Sequence, residues 1–189
     1  MLTHKGTVTL ETPRLRLRRF CVDDAQPMFD NWASNAEVCR YMTWPPHGQV
    51  ENTRGLLERW VEGYGDEKNY QWAIELKSLG QPIGSIGVGH CNERYESCEI
   101  GYCIGQPWWG QGYTAEATQA VLAFLFDGVG MHRVEARHDP RNIGSGRVME
   151  KTGFTQEGTQ REAHRNADNT FADLVMRSIL RQEYEARKC

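Results

Sequence analysis

The spacing of apolar residues changes several times along the chain, and each change marks an element. "RLRLRRF" (14–20) alternates, which puts Leu15 and Leu17 on the inner face of a strand and its arginines on a solvated outer face. "VDDAQPMFDNWASN" (22–35) reads as a helix with Asp23 or Asp24 near its cap, and Pro27 fits only in its first turn. "TWPPHG" (43–48) is a loop because Pro-Pro cannot continue a helix. Val50, Leu57, Trp60, Val61 and Tyr64 then recur at helical spacing over 49–64. From Tyr70 the period becomes two, with Tyr70, Trp72, Ile74 and Leu76 on one face of a strand over 70–76. A glycine-rich strand at 82–90 and an alternating one at 97–105 complete an antiparallel meander.

"YTAEATQAVLAFLFDGVG" (113–130) predicts a strong amphipathic helix ending at Gly128. A strand follows at 132–138, then a short helix over 142–153 that closes on Gly153. Strands at 154–164 and 171–180 are joined by "RNADN", and 181–189 is a terminal helix or tail. No repeat, low-complexity tract or linker interrupts this order, so residues 1–189 read as a single domain. Its class is mixed α/β (α+β), built around one largely antiparallel sheet.

Composition narrows the function classes. At 189 residues the chain can bury a core without disulfides or metals, and 39% hydrophobic with 25% charged residues is ordinary for a soluble protein. A net charge of -3 carries no basic excess for nucleic acid. No apolar run approaches the roughly 20 residues that span a bilayer, and the N-terminus lacks the apolar core of a signal peptide. Cys21, Cys39, Cys91, Cys98, Cys103 and Cys189 form no CxxC pair and have no His at a metal-site spacing. The expectation is reduced thiols, no metal and a cytoplasmic protein.

The chemistry is concentrated in "PWWGQGYTAEA" (107–117), where a glycine pair precedes a helix start. The first amides of a helix lack intrahelical partners and, with the helix dipole, attract anions. Gly110 and Gly112 let the backbone approach a ligand closely, and Thr114 adds a hydroxyl in the first turn. A phosphate is the expected guest; a plain glycine turn is the alternative. "GQGYTA" also fits the dinucleotide pattern G-x-G-x-x-G/A, with Glu135 about where a ribose-binding acid falls. That fingerprint belongs directly after a buried strand of a parallel repeat, whereas here "GQPWW" intervenes and the neighbours form a meander.

The sequence resembles the GNAT acetyltransferases, and within them the RimJ/RimL-like branch that acetylates protein N-termini. The resemblance covers about residues 11–180. It is carried by "ETPRLRLRRF", by "EIGYCI" followed by "PWWGQGYTAEA", and by "HRVEARHDPRNIGSGRVMEKTGFTQEG". One departure concerns Pro107, since the superfamily favours Gln or Arg three residues before the first loop glycine. The loop has no Lys or Arg either, so phosphate binding would rest chiefly on backbone amides.

The resemblance implies acetyl-CoA as donor and a GNAT-type sheet in which two parallel strands, by position 97–105 and 132–138, splay apart to admit the pantetheine arm. Tyr102, Cys103 and Ile104 are then its strand contacts. Trp109, Gly110, Gln111, Gly112, Tyr113, Thr114 and Ala115 hold the pyrophosphate. Asn142 bonds the cofactor, and Ser145 lies near the sulfur, where its hydroxyl can donate to the leaving thiolate. Capping of a helix N-terminus is the competing use of both. The branch's proposed glutamate base aligns with His164 here, while Glu99 is the second candidate, as other GNAT enzymes use a central-strand glutamate. Trp44, Pro45 and His47 fall where the family covers its acceptor, with Trp32 and Tyr41 as contributors unless they only pack. The implied acceptor is a primary amine, foremost a protein N-terminus such as a ribosomal protein's. Polyamines, aminoglycosides and amino sugars remain alternatives, as does a non-catalytic acyl-CoA-binding module, and the family also allows a homodimer.

Overall fold

Leu15 and Leu17 are completely buried, as their alternation requires. They lie on β2 (Leu15–Arg18) of one eight-stranded sheet in a computed structural model that describes residues 2–166 and 169–188. Cys189 and two residues of the "RNADN" connection lie outside the described residues. The other strands are β1 (Leu10–Glu11), β3 (Gln71–Leu76), β4 (Gln81–Asn92), β5 (Ser97–Ile104), β6 (Arg133–His138), β7 (Thr155–Arg165) and β8 (Phe171–Leu180). Their spatial order is β1-β2-β3-β4-β5-β6-β8-β7. All neighbours pair antiparallel except β5 and β6, which are parallel. The meander over 70–105 is present, and β1 is an addition too short to carry a periodic signal.

Strand alternation divides the core between two faces. Trp72, Ile74, Ile86, Ile100 and Val134 join Ala117, Val121 and Leu125 of the long helix, whose α-helical part is α4 (Tyr113–Ala123), and Met149 of α5 (Ile143–Thr152). Tyr70, Trp72 and Phe124 interlock there with ring centroids 5.6–5.9 Å apart. Ala73 and Cys103 point the other way and meet Met28 of α1 (Ala25–Met28), Val38 of α2 (Ala36–Cys39) and Leu57 of α3 (Val50–Gly63). α6 (Arg181–Ala186) follows β8 directly. Among the described residues no helix is long and apolar enough to cross a membrane.

Three expectations need correction. The helix expected over 22–35 is composite: a 3-10 turn at Val22–Asp24, then α1 with Pro27, then a π-helical turn at Phe29–Ala33. That wider turn brings both Trp32 and Ala33 fully inside, so Trp32 is core. The helix from 113 does not stop at Gly128. It widens into a π-helical segment over Phe124–Val129 and ends at Gly130, whose φ of 97° is the left-handed geometry that terminates helices.

The third correction is the outer face of β2. Arg18 is not solvated: its guanidinium forks onto Asp24 at 2.7 and 2.8 Å while Nε donates to Glu75 at 2.5 Å. Burial alone would raise the Asp24 carboxyl pKa. Hydrogen bonds from Arg18 and the Cys21 N–H outweigh it and hold the group below its ordinary value. A carboxyl depressed in the folded state contributes stability above its unfolded-state pKa and loses it as pH falls through the folded value. Asp24→Asn is therefore expected to lower stability at pH 7 by about 1–3 kcal/mol, the range for hydrogen bonds to charged groups. In thermal melts across pH, the gap between variant and parent should close below about pH 4, the ordinary carboxylate range.

Candidate active site

The site begins with an interrupted strand pair. β5 and β6 pair at Ser97↔Arg133, Cys98↔Val134 and Glu99↔Glu135, and their pairing stops there. β6 continues along β8 to His138, and β5 continues along β4 to Ile104. The register of β4 against β5 shifts between Val88 and His90, opposite Glu99 and Ile100. The extra residue is Gly89 of β4; such a bulge bends its own strand and increases the local twist, and this one lies level with the end of the β5–β6 pairing. The Gly105 N–H bonds the Ile83 carbonyl across to β4. By alternation, the peptide groups of Tyr102 and Ile104 face the opening.

The glycine loop closes one end of that opening. Gly105 admits no side chain, since a Cβ there would stand 2.3 Å from the Asn31 carbonyl oxygen and 2.6 Å from the Trp108 ring. Gly110 and Gly112 take φ of 73° and 81°, and Gly112 is the N-cap of α4. The Trp109 indole N–H donates to the Ile104 carbonyl at 2.9 Å and fixes the loop on the end of β5.

The loop itself carries no cation, but two lie beside it. Arg14 donates through Nε to Glu116 at 2.6 Å and through Nη1 to the Gln111 carbonyl at 3.0 Å, and it lies 4.3 Å over the Tyr113 ring. Its Nη2 and the Lys151 Nζ lie 3.6 and 3.8 Å from where a Gly112 Cβ would stand. Neither cation is near the loop in sequence, and no local signal could have announced them.

A cavity of about 430 Å³ occupies the opening. Its wall includes Tyr102, Cys103 and Ile104 of β5, Trp109, Gly110 and Thr114 of the loop and α4, and Asn142 and Ser145 at the start of α5. Gln111, Gly112, Tyr113 and Ala115 are not among the residues of that wall. The Gln111 amide bonds the Pro107 carbonyl, Tyr113 lies under Arg14, and Ala115 is buried. Asn142 does cap α5, its Oδ1 accepting the Ser145 N–H at 3.2 Å. The Tyr102 hydroxyl lies 3.1 Å from both Oγ and the carbonyl oxygen of Ser145. Burial pushes the Tyr102 phenol up to about 12. Burial also raises the Cys103 thiol, which lies 3.4 Å from Ser85 Oγ, so Cys103 is no thiolate nucleophile.

At the other end the wall is Glu37, Arg40, Tyr41 and Met42, on and just after α2, rather than Trp44, Pro45 and His47. The Trp44 and His47 rings pack 5.6 Å apart, His47 Nδ1 bonds the buried Thr53 hydroxyl at 2.7 Å, and Pro45 is exposed between them. Desolvation lowers the His47 pKa. The missed signal for α2 was Asn35, whose side chain accepts the Glu37 N–H at 2.9 Å.

The two base candidates are placed differently. Glu99 sits at the branch point, with its carboxylate 2.9 Å from Arg137 Nε. His164 lies on β7 opposite Ala172, with a buried Nε2 that finds no hydrogen-bond partner among the described residues. Asp139, just after β6, has its carboxylate pinned by Arg141, a residue of the cavity wall. Glu135 is engaged by Arg133 at 2.6 Å, and the sheet offers no parallel βαβ repeat, so the dinucleotide-binding alternative has no structural support. Among the described residues no group of three His, Cys, Asp or Glu side chains is arranged for a metal ion.

Known proteins agree with this geometry. Residues 14–155 match the acetyltransferase (GNAT) domain. The uncharacterized N-acetyltransferase p20 of Bacillus licheniformis is 30% identical over 93% of this chain and 98% of its own. The [ribosomal protein uS5]-alanine N-acetyltransferase of Escherichia coli is 29% identical over 91% of this chain and 90% of its own. Among solved structures, a GNAT-family acetyltransferase from Bacillus anthracis superimposes with a TM-score of 0.81 at 25% identity, covering 93% of this chain and 99% of that one. Because the matched span runs from β2 to the start of β7, it takes in the strand fork, the glycine loop and α5 together, and the chain belongs to the GNAT acetyltransferases.

Proposed function

We propose that this N-acetyltransferase moves the acetyl group of acetyl-CoA onto the α-amine of a protein or peptide N-terminus, with a ribosomal protein as the favoured acceptor. The observation that carries the reading is the fork past Glu99 and Glu135, with its cavity bounded by a helix N-terminus at one end and α2 at the other. The uS5-alanine acetyltransferase, similar over nearly its whole length, supports the choice of acceptor. Residues 1–189 are read as one acetyltransferase unit, and a cytoplasmic setting suits its free thiols at Cys21, Cys39, Cys91, Cys98 and Cys103.

The residues present fit acetyl-CoA. The amides at the start of α4, with Arg14 and Lys151 beside Gly112, suit a diphosphate. The gap-facing peptide groups of Tyr102 and Ile104 suit an amide-bearing arm added as a strand. When bound, acetyl-CoA supplies an activated acyl carbon on a thiol leaving group.

The chain's own residues then have four tasks. Strand, loop and α2 hold the amine against the acyl carbon, and such alignment supplies roughly 7–11 kcal/mol of the barrier. A gap-facing β5 amide stabilises the developing oxyanion. His164 accepts the proton of the attacking amine, an imidazole nitrogen being a common general base. Ser145 directs its hydroxyl at the departing sulfur.

Gly110→Ala perturbs the loop through its backbone: among the described residues nothing lies within 4 Å of the new Cβ, but an L-residue at φ 73° strains the turn that presents the loop amides. By isothermal titration it is expected to weaken acetyl-CoA binding about tenfold, equivalent to about 1.4 kcal/mol. An unchanged affinity would remove the loop from the binding site. His164→Ala is expected to lower kcat by about 10²-fold or more, as loss of a general base does, with acetyl-CoA affinity retained. The acceptor is tested by thiol release from acetyl-CoA against N-terminal peptides, polyamines and aminoglycosides. Turnover with the peptides alone is expected; turnover confined to the small amines would replace the proposed acceptor.

A further inference from the structure

Tyr102 enters the cavity wall from β5 and Ser145 from α5, and they meet through two contacts of 3.1 Å. A phenol carries one proton, but here two acceptors lie within its reach, the carbonyl oxygen and Oγ of the same serine. The position of that proton decides what the serine can do. If the phenol donates to the carbonyl, its oxygen is free to accept the serine's proton, which then points away from the cavity. If the phenol donates to Oγ, the serine's own proton must point elsewhere, and the open side is the cavity.

We infer that Tyr102 is a positioning residue for acetyl transfer: as the contacts stand the phenol donates to the Ser145 carbonyl, and by moving that donation to Ser145 Oγ as the C–S bond breaks it turns the serine's proton toward the departing sulfur. The inference rests on the reading of Ser145 given above and deepens it.

The chemistry limits the pair to hydrogen bonding. In the transfer a C–N bond forms, the C–S bond breaks, and its electron pair settles on sulfur, while the amine's proton goes to the base. An alkyl thiol ionises near 8.5, whereas the buried phenol stands at about 12 and an aliphatic alcohol is a still weaker acid. A thiolate therefore does not take a proton from either hydroxyl. Ser145 and Tyr102 stabilise negative charge on sulfur by donation, and the thiolate takes its proton from water after release. Burial keeps the phenol protonated throughout, which a donor requires.

The test compares the parent with Tyr102→Phe, Ser145→Ala and the double variant. It reads kcat by thiol release, acetyl-CoA affinity by titration and folding by thermal melting. Each single variant is expected to lose about tenfold or more in kcat, the scale of one hydrogen bond to a charged group. Affinity should stay within about twofold of the parent, since the lost interaction forms only as sulfur becomes charged. The double variant should be no slower than Ser145→Ala, because Tyr102 acts only through Ser145.

If Ser145→Ala is slow but Tyr102→Phe turns over like the parent, or if the two losses multiply, the inference is overturned while the reading of Ser145 stands. If Ser145→Ala keeps full kcat, both fail. Fluorotyrosine at position 102 is the second probe and guards against a misfolded Tyr102→Phe, since it keeps ring and hydroxyl but makes the phenol more acidic. A change in kcat below about twofold fits donation without transfer. A rise of several-fold would mean that the phenol proton reaches sulfur, and the positioning role would be wrong.

Discussion

A strand edge enclosed by protein must find partners for its peptide groups, and β5 loses its β6 neighbour after Glu99. This one unmet requirement organises the site. The bulge of β4 opposite Glu99 and Ile100 lies level with the parting. The groups of Tyr102 and Ile104 that would have entered a parallel ladder face a cavity of about 430 Å³ instead. The Trp109 indole meets the last of these carbonyls, at Ile104, and in doing so fastens the glycine loop to the strand end. A ligand with amide groups along its length can complete the remainder.

The fork holds its shape because packed clusters anchor both faces of the sheet. On one side Tyr70, Trp72 and Phe124 interlock, and α4 cannot shift without opening that cluster. On the other, Trp32 and Met28 pack with Leu57 against Ala73 and Cys103. Dense packing of this kind makes the walls stiff, and stiffness is what alignment of two reactants demands. The charged contacts contribute differently. Arg14 joins the loop carbonyl of Gln111 to Glu116 of α4, and Arg141 is clamped to Asp139 beside the cavity. Because both guanidinium groups are largely exposed, these pairs add little stability. Their effect is to fix where positive charge sits around the site.

Local pattern carried much of this molecule. Alternation located the strands and identified Leu15, Leu17, Trp72 and Ile74 as core. Glycine and asparagine marked the ends of α5, where Asn142 caps the start and Gly153, at φ 99°, closes it. The glycine pair before α4 identified the loop itself, because backbone freedom followed by a helix start is written in consecutive residues. The errors were also local in origin. Gly128 and Gly130 look alike as terminators, and only the left-handed turn at Gly130 separates them. β1 and α2 are too short for periodicity to register.

The sequence by itself determined the elements, the order in which they occur and the loop chemistry, because each depends on residues within a few positions of one another. Tertiary structure alone decided which groups meet. Arg14 reaches the loop from just before β2 and Lys151 from α5, and Tyr102 finds Ser145 across 43 residues. Glu37, Arg40, Tyr41 and Met42 line the cavity while Trp44, Pro45 and His47 do not, and Arg18 exchanges solvent for Asp24 and Glu75. Such encounters follow from sheet order and from the angle at which β5 and β6 part. Both are set by packing over the whole molecule, and no short stretch of sequence encodes them.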